Sequence, residues 1–335
     1  MELKQTPPHD AKTRYLKKKR SHVSEKTIYN YDTALTRFLE FLDKRNINDM
    51  RVVDSDEIVR FESWRLETVK PITCRNDMNT VKNFIQFCET IQAVPVGLHE
   101  LVSPTKVSED DEICETILTR QEATQILEHL KKYQYASTRH ITMLILWKTG
   151  MRIGGLRALD VDDFDSARPA LELRHRPDTG TPLKRKDKGQ RDVILNWDTS
   201  DVIEDYIQNS RPDVEDQSGR SPLLASREGR VAATTIQKNI YTATRPCTYN
   251  DGTCPFGEDT DDCEALQFDQ ANKCPGSVSP HALRRGYVTA ARNAGQPKDV
   301  TGERVNMGGK ILEKHYDHGT YDEKAERRKD HLKDI

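Results

Sequence analysis

The sequence predicts a mainly α protein with a small antiparallel β element, arranged in two domains. Three observations carry this. At 335 residues the chain is long enough to bury two cores. Apolar residues recur at helical spacing through most of it. One region departs from that rhythm: ALELR at 170–174 and RDVIL at 191–195 alternate as strands, and the basic, glycine-containing segment between them reads as a hairpin tip.

The elements follow in order. Residues 1–20 read as a basic N-terminal tail, because 11–20 hold six cations and no anion. Residues 21–95 read as a small helical domain. Ser24 is placed to cap a helix over 24–44, in which Ile28, Tyr31, Leu35, Phe38, Leu39 and Leu42 share a stripe. Asp54 with Glu57 opens a second helix through Trp64 as a capping-box variant. A third, roughly 73–92, turns Met78, Val81, Phe84, Ile85, Cys88 and Ile91 inward. Residues 96–118, with Pro104 and the acidic run at 108–115, read as a linker.

The rest, 119–335, reads as one domain. Thr119 and Glu122 form a capping box ahead of Ala123, Ile126, Leu127 and Leu130. An apolar helix then runs to Thr149-Gly150, where it breaks. Beyond the hairpin, helices fit 199–209, 231–243, 280–294 and 309–329, with Ser279 as a cap and Pro280 in the first turn of the third. Residues 245–276 form a cysteine-rich insertion.

Composition limits what the protein can do. Lys+Arg total 52 and Asp+Glu 54, a net charge of -2, and the mean hydropathy is -0.79. No apolar run nears the ~20 residues that cross a bilayer, and the N-terminus lacks an apolar leader, so a cytoplasmic protein without membrane contact is expected. The charges are segregated, however. Residues 174–191 carry seven Lys/Arg against two Asp, while 251–264 carry six acids and no cation. Phosphate binding depends on local potential, not on the total.

Four pieces that carry chemistry stand in order: Thr149-Gly150-Met151-Arg152, the hairpin with Lys184 and Lys186, His281-Ala-Leu-Arg284, and Tyr316. In this order and helix–strand–strand–helix context the chain resembles the tyrosine recombinases, or phage-type integrases, particularly their archaeal, haloarchaeal-like members. TGMRIGGLRAL matches the family's first box, HALR its second, and Tyr316 follows His281 by 35 residues, where the family places its nucleophile. The resemblance covers nearly the whole chain from about residue 21. It implies a helical core-binding, SAM-like domain joined to a tyrosine-recombinase catalytic domain, with Arg152, Lys184, His281, Arg284 and Tyr316 as catalytic residues.

The implied chemistry suits these side chains. Two guanidiniums offer planar forks to phosphate oxygens, as lysine cannot. His281 is suited to take the proton of Tyr316, and Lys184 or its near neighbour Lys186 to protonate the leaving 5′-oxygen. Tyr321 is a rival nucleophile. Rejoining through a phosphotyrosine needs no nucleotide cofactor, and no P-loop is present. Three positions depart from the family pattern. Gly155 stands where an acid is usual, Arg285 where many members have His, and Met307 where a His or Trp hydrogen-bonds phosphate; Asn306, Lys310 and His315 are the nearby substitutes.

Cys247, Cys254, Cys263 and Cys274 cluster just before the second box, in a segment too polar to form a core unaided. They fit a structural zinc site of four cysteines; free buried thiols and disulfides remain open readings. The partner expected from the resemblance is double-stranded DNA, clamped by the Lys17–Arg20 run, the Arg174–Arg191 hairpin and Arg292 in a homo-tetramer, with affinity falling steeply in salt. The tail after Tyr316 would dock on a neighbouring protomer or lie as a solvated helix. Alternatives to a site-specific recombinase are a catalytically degenerate DNA-binding protein of the same fold and a type IB-like topoisomerase.

Overall fold

The computed structural model describes residues 2–107, 116–316 and 318–329, the side chains of 314, 315 and 328 excepted. The acidic run at 108–115 and the side chain of His315 therefore lie outside the described residues. The chain divides into two compact units, Met1–Cys114 and Glu115–Ile335.

The first unit is helical: α1 (Pro8–Arg20), α2 (Glu25–Lys44), α3 (Ser55–Leu66), α4 (Pro71–Thr90) and the short α5 (Leu98–Leu101). Ser24 caps α2 by accepting from Thr27 N, and Asp54 caps α3 by accepting from Glu57 N. Glu57 completes no capping box, because its carboxylate is gripped by Arg45 at 2.6 and 2.8 Å. Phe38, Phe61, Phe84 and Leu42 meet in the core, the predicted stripes facing one another.

Two expectations need correction here. Residues 8–20 are a helix, not a tail. Pro8 sits in the first turn, and Ala11 and Tyr15, four residues apart, are fully buried; Tyr15 packs on Tyr31, Phe84 and Phe87. The cations Lys17–Arg20 occupy the last turn, where the helix dipole favours them. The stretch read as a linker from 96 is also packed down: Leu98 and Val102 join the core, and Lys82 Nζ donates to the Val102 carbonyl.

Near the start of the second unit, Leu118 is buried and its N–H donates to the Ala282 carbonyl at 3.3 Å. Then come α6 (Arg120–Tyr133), opened by the predicted Thr119–Glu122 capping box, α7 (Thr138–Thr149) and α8 (Ile153–Ala158). Helix α7 is buried on nearly every side, as an apolar run without a polar face requires. A three-stranded antiparallel sheet follows, β1 (Phe164–Asp165), β2 (Ala170–Leu173) and β3 (Arg191–Ile194), with Leu171 opposite Val193 and Leu173 opposite Arg191. Beyond it lie α9 (Trp197–Asp205), a two-stranded ladder β4 (Ala225–Ser226) and β5 (Gly229–Arg230), α10 (Ala233–Thr244) and the short α11 (Pro246–Tyr249).

The C-terminal part comprises α12 (Pro280–Asn293), α13 (Lys298–Val305), α14 (Gly309–His315) and α15 (Tyr321–Lys329). Ser279 caps α12 by accepting from Ala282 N, as the sequence indicates. The single helix expected over 309–329 is instead two. Thr320 starts α15 with its own box, its N–H donating to Glu323 and its hydroxyl accepting from Glu323 N. Tyr316 stands in the break.

Candidate active site

The site is built from the ends of six elements, α7, α8, β3, α12, α13 and α14. Gly150 closes α7 in the left-handed region at φ +61°, and a Cβ there would lie 2.2 Å from the Tyr287 ring. Only glycine meets both demands. The turn frees the Gly150 carbonyl to accept from Arg284 Nη1 at 2.6 Å, while Arg284 Nη2 donates to the Val305 carbonyl at 2.7 Å. Two helix ends thus clamp one guanidinium. Arg284 is only 1 % exposed, and its Nε is buried without a hydrogen-bond partner among the described residues.

Arg152 precedes the first residue of α8, where its side chain makes no capping bond, and is half-buried, its Nη1 3.5 Å from the Asn306 carbonyl. Tyr316 packs its ring against Val288, Val305, Met307 and Leu312, and the Arg284 guanidinium lies 5.5 Å from the ring centroid. The Tyr316 carbonyl accepts from Thr289 Oγ1 at 3.1 Å, which fixes the chain just past α14. Tyr321, the rival, is 92 % exposed at the start of α15. The structure therefore brings Arg152, Arg284 and Tyr316 together and leaves Tyr321 out.

His281, in the first turn of α12, is solvent-exposed on its outer side. Partial desolvation first, then Arg284, Arg285, Arg152 and Lys184, hold its pKa below the usual value. The same interaction places Lys184 near the site, on an exposed loop whose Lys186 takes a positive φ of 50°.

The sequence understated one residue. Arg191, read only as the end of a basic stretch, opens β3 and uses two donors on the Arg304 and Gly189 carbonyls. Burial, then Arg152 and Arg304, push its pKa down to about 10; burial, then Arg152, push that of Arg284 down to about 9, with Arg191 adding to the fall. Burial is also what lowers Arg152. What pulls Arg152 and Arg284 back is the Tyr316 phenol. Cations so crowded and desolvated make a pocket that favours an anion.

The structure also shows the surroundings of two of the departures, Gly155 and Met307. A Cβ on Gly155 would lie 2.8 Å from Leu173 Cδ2, so any side chain there would require the Leu173 side chain to shift. Met307 is buried in the small apolar cluster under Tyr316. Asn306 cannot stand in for it freely: its side chain accepts from Arg185 at 2.9 Å and donates to the Lys188 carbonyl at 2.8 Å, tethering the lysine-bearing loop. Of the expected phosphate contacts in the hairpin, Arg174 is spent on Glu172 and Asp192, and Arg176 on Asp163. Lys184, Lys186 and Lys188 remain exposed. Arg292 donates to the Gln296 carbonyl.

Among the described residues, no helix is long and apolar enough to cross a membrane. Comparison with known proteins agrees with the geometry. The chain is 29 % identical over 193 residues to the tyrosine recombinase XerC of Roseiflexus sp. (strain RS-1), and 24 % identical over 207 to that of Herpetosiphon aurantiacus. These matches cover 57 % and 61 % of this chain and span 58 % and 63 % of the relatives' own length. In fold it resembles the Tn1549 transposon integrase in complex with transposon right end DNA (TM-score 0.67, 16 % identity, 98 % of this chain and 99 % of that one). It also resembles a lambda integrase dimer bound to a core site (TM-score 0.66, 13 % identity, 94 % and 79 %). The N-terminal SAM-like domain of phage integrases matches residues 13–90, and the phage integrase family 116–306, ending ten residues short of Tyr316. With more than half of its length in that match, the chain belongs to the phage integrase family.

Proposed function

We propose that the protein is a site-specific DNA recombinase that cleaves and rejoins strands through Tyr316. The convergence of Arg152 and Arg284 on the Tyr316 phenol carries this reading. The Tyr316 oxygen attacks a DNA phosphorus, giving up its proton to His281, whose neutral, proton-accepting form is favoured first by partial desolvation and then by the surrounding cations. As the new P–O bond forms, the bond to the 5′-oxygen breaks, and Lys184 protonates that oxygen. Arg152 and Arg284 take the charge on the non-bridging oxygens, a contribution of about 3–4 kcal/mol for a well-placed donor. The product is a 3′-phosphotyrosine and a free 5′-hydroxyl. Attack by the 5′-hydroxyl of a second strand reverses each step, so the bond energy is conserved and no nucleotide is consumed.

DNA is the proposed partner and a tetramer on DNA the proposed assembly. The solved relatives support this: they include integrases in complex with DNA and a lambda integrase tetramer bound to a Holliday junction. The protein is proposed to act in the cytoplasm. The cysteine insertion contributes no group to the pocket, and the zinc proposed for it stands outside the reaction.

A nicked suicide substrate tests the reading. Wild-type protein should trap a covalent DNA adduct and Tyr316→Phe none. Buried Met307, which cannot donate to phosphate, favours one rival: a DNA-binding protein without catalysis, which would bind the substrate and form no adduct. Relaxation of supercoils without strand exchange between two labelled sites would indicate a topoisomerase.

A further inference from the structure

The insertion between α11 and α12 lacks a core of its own. Residues 251–264 hold six acids and no cation. Of those fourteen residues only two are shielded from solvent, and both are cysteines, Cys254 and Cys263. Cys247 and Cys274, at the two ends of the loop, are likewise half-buried. All four line one small, narrow cleft, with Pro246, Pro255 and Ala265. Cys247 interacts electrostatically with Cys274, Cys254 and Cys263, so the four sulfurs share one neighbourhood though six, eight and ten residues separate them in sequence. None is in a disulfide.

We propose that Cys247, Cys254, Cys263 and Cys274 form a closed tetrathiolate site for one structural zinc ion, which clips the insertion shut directly before α12. A polar loop whose inward side chains are four half-buried thiols and two small alanines, Ala265 and Ala271, buries little apolar surface to hold it, and four soft sulfur donors select a tetrahedral soft cation. Among the described residues no group of three or more His, Cys, Asp or Glu is drawn together enough to hold a metal. The thiols surround the cleft, and the metal bonds, about 2.3 Å each, complete the approach.

The surroundings show what the clip would secure. Gly276 is pressed against Pro246 and Phe256, where a Cβ would fall 2.5 Å from Pro246 Cγ. Val278 N donates to Thr244 Oγ1 at the end of α10. Ser279 then caps the helix that presents His281 and Arg284. Closing the loop at Cys274 fixes the entry to that helix seven residues before His281.

The test is metal content of the purified full-length protein, read by elemental mass spectrometry and by zinc release as a mercurial titrates the thiols. The expected result is about one zinc per chain, as a single closed site requires. Release should be complete as the four thiols react, and Cys254→Ser and Cys263→Ser should each lose the metal. If the variants do not fold, cobalt(II) substitution of the wild type decides, by the visible bands and sulfur charge-transfer of a tetrathiolate centre. Zinc well below stoichiometry with freely alkylated thiols, stoichiometric iron, paired cysteines under non-reducing conditions, or zinc retained in both variants would each overturn it. Metal content is independent of strand cleavage, so failure here leaves the recombinase reading standing, and the reverse.

Discussion

Arg284→Lys isolates what the buried guanidinium does. Arg284 donates to the Gly150 and Val305 carbonyls at 2.6 and 2.7 Å while its face lies over Tyr316. An ammonium reaching from the same Cβ cannot hold both carbonyls and offer a fork to phosphate. One buried carbonyl loses its partner, at a cost of about 1–3 kcal/mol in stability. At the transition state the bidentate donor is lost, which costs about 3–4 kcal/mol, or roughly 10²–10³ in rate. Affinity for uncleaved DNA should fall less than about tenfold, since many phosphate contacts share that binding. Single-turnover adduct formation, with affinity measured separately by fluorescence anisotropy, separates the two. A cleavage rate within tenfold of wild type, or an affinity loss as large as the rate loss, would refute the assignment.

Three further outcomes are expected. Gly150→Ala forces a left-handed residue and a Cβ into the Tyr287 ring, so the protein should lose about 1–3 kcal/mol or more in denaturant unfolding and most of its cleavage. In the free protein His281 is held below the usual imidazole value near 6.5, so it stays neutral and able to act as a base to lower pH; a bound phosphate favours the imidazolium and raises that value. The acid limb of cleavage should thus lie below about pH 6.5 at limiting DNA, move upward at saturating DNA, and vanish in His281→Asn. His140, buried with its Nδ1 accepting from Ala136 N, has its pKa pushed down to about 4 by burial. Above about pH 6.5 it is neutral in both states; below that the unfolded chain takes the proton first, so stability should fall by up to about 1.4 kcal/mol per pH unit down to about pH 4. His140→Asn keeps the acceptor and should flatten this slope in urea titrations.

Much of the fold was legible because it rests on local chemistry. Ser24, Thr119 and Ser279 announced their helices through capping, and ALELR and RDVIL paired as their alternation required. What was missed lacked a local signal. In α1 six cations mask one buried pair, Ala11 and Tyr15. In α13, KDVTGERV has almost no apolar stripe and buries mainly Thr301, Gly302 and Val305. Arg152, Arg284 and Tyr316 were legible as candidates from motif spacing, yet their meeting depends on Gly150 and Val305, more than 150 residues apart, presenting carbonyls to one guanidinium. That Arg174 and Arg176 are committed to acids, and that Arg191 joins the pocket, follows from strand register and burial that no spacing encodes.

The decisive measurement is the identity of the residue that carries DNA after cleavage. Adduct trapped on a suicide substrate, digested with nuclease and protease and mapped by mass spectrometry, should place the nucleotide on the peptide bearing Tyr316 and nowhere else. Attachment at Tyr321, or a wild-type protein that binds its site and carries no nucleotide, would contradict the account.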